Sequence, residues 1–175
     1  TTLSSIIFDS GMQMSKLIDT LLDFTGTRLG RSLSVKPEPM CLRPILESTV
    51  ASFSAAHPSR TIQLNCNEEA QCAVDEVRIR QMLSNLVANA IRYTPRGLTI
   101  SLHGETRTDG VTIRVVNPGP GIAAEHIPHL FDRFYRADAA RTNSASSAGL
   151  GLAIVQSIMT LHGGRVEVSS EVAGL

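Results

Sequence analysis

Apolar residues recur at helical spacing from Leu3 to about Leu29, at Ile6, Ile7, Met14, Leu17, Ile18, Leu21 and Leu22, with no proline among them. That stripe predicts one long amphipathic helix. A single helix cannot bury its own stripe, so it needs a partner, either another helix or the rest of the chain. Gly26-Thr27-Arg28-Leu29-Gly30 ends it, and Pro37 and Pro39 mark an extended connection. The period then alternates. Leu42 to about Ala56 reads as a helix and Thr61 to Cys66 as a short strand; a second helix follows from about Asp75 to Tyr93, stopped by Pro95 and Gly97. Leu98 to His103 and Val111 to Val116 read as paired strands joined through Thr108-Asp109-Gly110. Asn117 to about Ala148 is rich in Gly, Pro, Ser and Ala, with helical character only from Ala124 to Phe131; connections of this length are functional lids or disordered insertions. A last helix, about Leu150 to Leu161, leads to a strand from Arg165 to Ser169. The sum is one helix followed by an α/β sandwich.

Composition narrows the class. The 175 residues, 42% apolar and 18% charged, can bury a sizeable core. Sixteen basic and sixteen acidic side chains cancel, which argues against nucleic acid and anionic membrane as partners. Cys41, Cys66 and Cys72 are odd in number and lack C-x-x-C spacing, as in a reducing, cytoplasmic setting without disulfides or structural zinc. No apolar run approaches the roughly 18 residues of a membrane span. The start, Thr1-Thr2-Leu3, resembles neither a signal peptide nor an initiation site, so the chain reads as an excised piece.

Three stretches carry candidate chemistry. Within the helix ending at Tyr93, Asn85, Asn89 and Arg92 fall inside an arc of roughly 60°, with Tyr93 beside them and Leu83, Leu86, Val87, Ala90 and Ile91 pointing elsewhere. Asparagine is a poor helix former and costly to bury unpartnered, so something polar is expected opposite. Amide oxygens suit Mg²⁺, a guanidinium suits phosphate and a tyrosine ring can stack on a base. A partly exposed helix whose asparagines cap neighbouring loops would look the same. In Val115-Val116-Asn117-Pro118-Gly119-Pro120-Gly121-Ile122, Gly119 and Gly121 permit close backbone approach and Asn117 offers an amide at the strand end; a plain turn would also serve. Gly149-Leu150-Gly151-Leu152 opens an apolar helix, where free N–H groups and the helix dipole favour anions.

In this order the three stretches resemble the catalytic and ATP-binding domain of bacterial two-component sensor histidine kinases, in the superfamily that includes DNA gyrase, the Hsp90 chaperones and the MutL repair proteins. Asp75 to Pro95 is similar to the N box, Val115 to Ile122 to the first glycine box, Leu130-Phe131-Asp132-Arg133-Phe134-Tyr135-Arg136 to the F box, and Gly149 to Leu152 to the second glycine box. Met14 to Phe24 resembles the second helix of the family's dimerisation and phosphotransfer hairpin. The resemblance implies an α+β fold, a two-layer α/β sandwich of Bergerat type with a mixed sheet, three main helices and an ATP lid, preceded by one long helix. It divides the chain into residues 1–33, an incomplete hairpin, and 34–175, the catalytic domain, whose last strand would lie beyond Leu175.

The resemblance also implies roles. Asn89 would ligate Mg²⁺. Asn85 stands where hydrolysing relatives keep a glutamate base, and an amide cannot take a proton from water, so ATP would be kept for a histidine. Arg92 would contact phosphate and Tyr93 would lie against adenine, while Arg136 and Arg133 would reach the terminal phosphate from the lid. The backbone of Gly149, Leu150, Gly151 and Leu152 would cradle phosphates, and Asn117, Gly119, Gly121 and Ile122 would form the adenine side. The implied partners are ATP and ADP, a response regulator receiver domain and a second copy joined through the hairpin. The whole protein would sit in the bacterial inner membrane with this domain in the cytoplasm. No histidine precedes His57, so the phosphoacceptor is expected elsewhere. Two departures stand out: Asn117 replaces the usual aspartate, and Ser147 replaces a leading glycine. The first glycine box and F box further resemble the heavy-metal-responsive branch. Rival readings are a gyrase-like or chaperone-like ATPase and a degenerate nucleotide sensor acting through its helix. His103, His126, His129 and His162 read as surface or loop residues, the cysteines as buried small hydrophobes, and Phe131 and Phe134 as lid anchors.

Overall fold

The computed structural model describes residues 35–67, 70–108, 110–137 and 149–171. The helix expected over residues 3–29, the division at residue 33, and Ser147 lie outside them. Elements run in the order β1 (Glu38–Cys41), α1 (Leu42–Ala56), β2 (Thr61–Cys66), β3 (Gln71–Val74), α2 (Glu76–Tyr93), β4 (Thr99–Arg107), β5 (Gly110–Val116), a 3-10 turn (Ile127–His129) and α3 (Gly151–Leu161).

Strands β2, β4 and β5 form one mixed sheet. β2 and β4 are parallel, from Thr61 opposite Thr99 to Cys66 opposite Gly104, whereas β4 and β5 are antiparallel, from Ser101 opposite Val116 to Arg107 opposite Gly110. A parallel pair cannot be closed by a tight turn, so β3 and α2 fill the crossover. β1 and β3 make a separate antiparallel ribbon. Period-two alternation then decides which face is covered. In β4, Ile100, Leu102 and Gly104 are buried, while Gln63, Asn65 and Arg114 on the opposite face are exposed. Leu102 packs with Leu42, Ile45 and Leu46 of α1, Ile79, Met82 and Leu83 of α2, and Val155 and Ile158 of α3. Ile100 packs with Val87, Ala90 and Ile91 farther along α2. Each such side chain removed from water contributes about 1.5–3 kcal/mol. The two-layer α/β arrangement is therefore dictated by the single apolar face of the sheet.

Three local expectations change. β1 and β3 form where the sequence suggests only connection; Pro39, which cannot donate to a ladder, is tolerated because its ribbon has just two strands. Residues 165–169 make no strand ladder among the described residues: Val166 packs on the core and Arg165 pairs with Glu167 at 2.7 Å, but alternation alone supplies no partner strand. The helical stretch at 124–131 shrinks to turns and one 3-10 turn, because Pro128 has no N–H to donate to the Ala124 carbonyl and cannot continue an α-helix there. The cysteines are half-buried, and burial pushes the thiols of Cys66 and Cys72 up, which keeps them protonated at neutral pH. No helix among the described residues is long and apolar enough to cross a membrane.

Helix α2 is fixed at its start. Asp75 caps it, accepting from the Arg78 N–H at 3.2 Å, and its second oxygen accepts from the Lys36 N–H at 3.1 Å. The Asp75 N–H donates to His162 Nε2 at 3.0 Å, and His162 Nδ1–H donates to the Ile158 carbonyl at 2.8 Å. His162 is thus the strut between the end of α3 and the start of α2, not a loop histidine. The Lys36 and Arg78 N–H groups hold the Asp75 carboxyl below the ordinary carboxylate range. A depressed folded value means stability that is present above the unfolded value and lost as pH falls through the folded one. Denaturant midpoints of the wild type should therefore drop below about pH 4, and Asp75→Asn should flatten that limb. An unchanged acid limb would refute the assignment.

Candidate functional site

Asn85 is only 8% exposed, although it is polar and lies mid-helix. Its Nδ2 donates to the Gln81 carbonyl one turn back at 3.1 Å, which leaves Oδ1 turned outward from its own helix. Opposite lies Gly151, the first residue of α3, where an added methyl would sit 3.5 Å from Asn85 Oδ1. The N-cap position of α3, Leu150, supplies no side-chain hydrogen bond to the first turn, so among the described residues this helix start keeps uncapped N–H groups and a positive dipole end. Leu150 is buried and Leu152 half-buried, anchoring that start to the core. An uncapped helix start attracts anions, and the amide oxygen beside it offers a ligand to a cation.

Farther along α2, Asn89 and Arg92 are half-buried and Tyr93 is 45% exposed, with the Arg92 guanidinium 5.5 Å from the centre of its ring. The first glycine turn meets this end of the helix: a methyl on Gly119 would lie 3.3 Å from the Tyr93 carbonyl oxygen. Asn117 at the end of β5 is exposed, Gly121 has φ +79°, and the Ile122 N–H donates to Ser170 Oγ at 2.8 Å. A residue that sequence reading passed over, Arg60, sits behind this corner. Its Nη1 donates to the Thr94 carbonyl and its Nη2 to the Ile91 carbonyl, both at 2.8 Å. Only its position before a strand was visible in the sequence, and nothing there signals a helix cap 31 residues away.

The F-box turn docks on the second glycine turn. The Phe134 N–H donates to the Gly149 carbonyl at 3.0 Å, and a methyl on Gly149 would meet the Phe134 carbonyl carbon at 2.8 Å. Gly149 also has φ +69°, so both conformation and space require glycine there. Phe134 is the one non-glycine residue with positive φ among the described residues, at 63°, and it is 64% exposed. It therefore does not anchor the lid; a ring in this turn points to solvent, and only Phe131 is half-buried. Arg133 is exposed and Arg136 half-buried on the same turn. His126 and His129 belong to it as well: His126 Nδ1 shares a 2.8 Å hydrogen bond with the Tyr135 hydroxyl, and His129 packs on the Tyr135 ring at 5.3 Å while its Nδ1 meets Asp132 at 2.8 Å. The structure thus brings Asn85 to the second glycine turn, Tyr93 to the first, and the F-box turn to Gly149.

Residues 74–174 match the family model described as histidine kinase-, DNA gyrase B-, and HSP90-like ATPase. Sensor histidine kinase CusS of Escherichia coli O6:H1 is 46% identical over 163 residues, covering 93% of this chain and 34% of that protein. Sensor protein IrlS of Burkholderia pseudomallei is 48% identical over 103 residues, covering 59% of this chain and 22% of that protein. The chain therefore spans about a third or less of the length of these relatives. Among solved structures, the Acinetobacter baumannii histidine kinase AdeS superimposes with a TM-score of 0.74 at 23% identity, over 92% of this chain and 74% of that one, a likeness of fold. Full-length ShkA in complex with AMPPNP superimposes with a TM-score of 0.74 at 26% identity, over 93% of this chain and 34% of that one. With its ordered boxes, its two-layer sandwich and a family match across more than half its length, the chain belongs to the histidine kinase-, DNA gyrase B- and HSP90-like ATPase family, and the relatives it resembles are sensor histidine kinases.

Proposed function

We propose that the chain is the ATP-binding and catalytic part of a two-component protein-histidine kinase, transferring the γ-phosphoryl of Mg-ATP to a histidine on the dimerisation hairpin for relay to a response regulator aspartate. The single observation that carries this reading is Asn85, buried against Gly151 with an amide where hydrolysis would need a carboxylate. An amide there accepts and donates hydrogen bonds without removing a proton from water, so bound ATP is conserved for a nucleophile brought from outside the pocket. The donor set fits the ligand: amide oxygens at 85 and 89 suit a hard cation, and the uncapped start of α3 suits phosphate. Mg²⁺, when bound, supplies neutralisation of the phosphate charge. Arg92 and the lid residues Arg133 and Arg136 orient the phosphates, while Tyr93, Asn117, Gly119, Gly121 and Ile122 receive the adenine, so that catalysis is chiefly positioning. In the whole protein the domain works as one half of a hairpin-joined dimer, on the cytoplasmic side of the inner membrane.

The test is to mix the chain with a phosphotransfer hairpin carrying the phosphoacceptor histidine. ATP-dependent, acid-labile phosphohistidine on the hairpin is expected; bound ATP with no such product would overturn the assignment. The replacement of aspartate by Asn117 has its own consequence. An amide oxygen accepts the adenine amino proton without charge assistance, so Asn117→Asp should tighten Mg-ATP about fivefold by titration calorimetry. Unchanged or weakened binding would remove Asn117 from the adenine contact.

A further inference from the structure

We infer that Arg60 is a positioning residue for the adenine end of the nucleotide site, acting through the last turn of α2. This rests on the kinase reading and extends it to a residue that touches no nucleotide. The last carbonyls of a helix have no partners within it and carry the negative end of its dipole. Here Arg60 takes two of them, those of Ile91 and Thr94, each at 2.8 Å. The fork of a guanidinium matches two separated carbonyls, and each bond is charge-assisted.

What those carbonyls flank gives the contact its meaning. Between Ile91 and Thr94 lie Arg92 and Tyr93, and the Tyr93 carbonyl is the point on which Gly119 of the first glycine turn rests. Thr94, where the chain leaves the helix at φ −77° and ψ 126°, is only 2% exposed, so water does not readily replace a lost donor there. Its own N–H is committed to the Ala90 carbonyl at 2.9 Å. Without Arg60, the final turn keeps its own helical bonds, that of the Thr94 N–H among them, and loses the two that tie it to the start of β2. Arg92, Tyr93 and the Gly119 turn would then shift relative to one another. Apart from Arg92, which shares this turn, the groups assigned to phosphate are held separately, Asn85 against Gly151, the F-box turn against Gly149, and the far end of α2 by the His162 strut. Loss of Arg60 therefore weakens nucleotide capture far more than the transfer step.

The experiment measures Mg-ATP affinity by calorimetry, and KM and kcat with the hairpin in trans, for wild type, Arg60→Gln and Arg60→Lys, at a temperature where circular dichroism shows each variant folded. Arg60→Gln should raise Kd and KM about tenfold with kcat within twofold, and Arg60→Lys, which keeps the charge but not the fork, should fall between. A folded Arg60→Gln with wild-type Kd and KM and only a lower melting temperature would make Arg60 purely structural and overturn the inference. So would a fall in kcat at unchanged KM. Should Arg60→Gln fail to fold, Arg60→Lys decides by the same split. Absence of Mg-ATP binding in wild type would instead sink the kinase reading, and it would be seen before any variant is compared.

Discussion

Asn89→Ala should abolish measurable Mg-ATP binding, a loss of at least about a hundredfold, while the domain becomes no less stable. The two halves of that expectation come from different physics. Asn89 lies one turn beyond Asn85 on the same face of α2, half-buried, and in the proposed site it is the metal ligand. Alanine removes the oxygen and offers nothing in its place, and the phosphates then face one another without their counter-charge. For folding, the same change replaces a poor helix former by the best one, worth up to about 0.6 kcal/mol in favour of the helix. Affinity and melting temperature should thus move in opposite directions or decouple. Calorimetric titration with Mg-ATP beside a thermal melt reads both. Binding within threefold of wild type would remove Asn89 from the site, and a large drop in melting temperature would make it a packing residue.

Gly104→Val should be the most damaging single change to the fold outside the site, costing about 3 kcal/mol or more by urea denaturation. Gly104 sits in β4 facing the helices, where an added methyl would lie 2.8 Å from Cys66 Sγ and 2.8 Å from Leu46 Cδ1. Leu46 is fully buried and cannot swing aside, and Cys66 is the parallel neighbour of Gly104 across the ladder. Valine suits a strand intrinsically by up to about 1 kcal/mol, which is smaller than the overlap it creates. Against a typical total of about 5–15 kcal/mol, that loss is large. Gly104→Ala should cost less, and adding Cys66→Ala to it should restore part of the loss. A Gly104→Val midpoint equal to wild type would show that the core gives way more readily than the spacing implies.

What the sequence disclosed follows the physics of each element. α1 and α2 bury one continuous stripe apiece, so their spacing gave them away, and α2 ends where Pro95 and Gly97 place its end. β2, β4 and β5 alternate against a single covered face and were equally readable. The short ribbon was not: four-residue strands with a proline or a lone glutamine carry too little pattern, and their existence depends on each other. The segment at 165–169 erred the other way, because alternation describes a side chain's environment and not the presence of a neighbouring backbone. The asparagine stripe and both glycine turns could be placed from the chain alone. Arg60, Gly104, His162 and the solvent-facing ring of Phe134 could not, since each acquires its role from contacts with distant sequence.

The parallel pairing of β2 with β4 carries a kinetic consequence. Thr61 cannot meet Thr99 until the whole intervening stretch, α2 included, has been looped back over the sheet. The asparagine face is therefore enclosed within a non-local strand closure, and neither half can mature ahead of the other. Slow, all-or-none acquisition of ligand competence during refolding follows from this wiring, with no early species able to hold nucleotide.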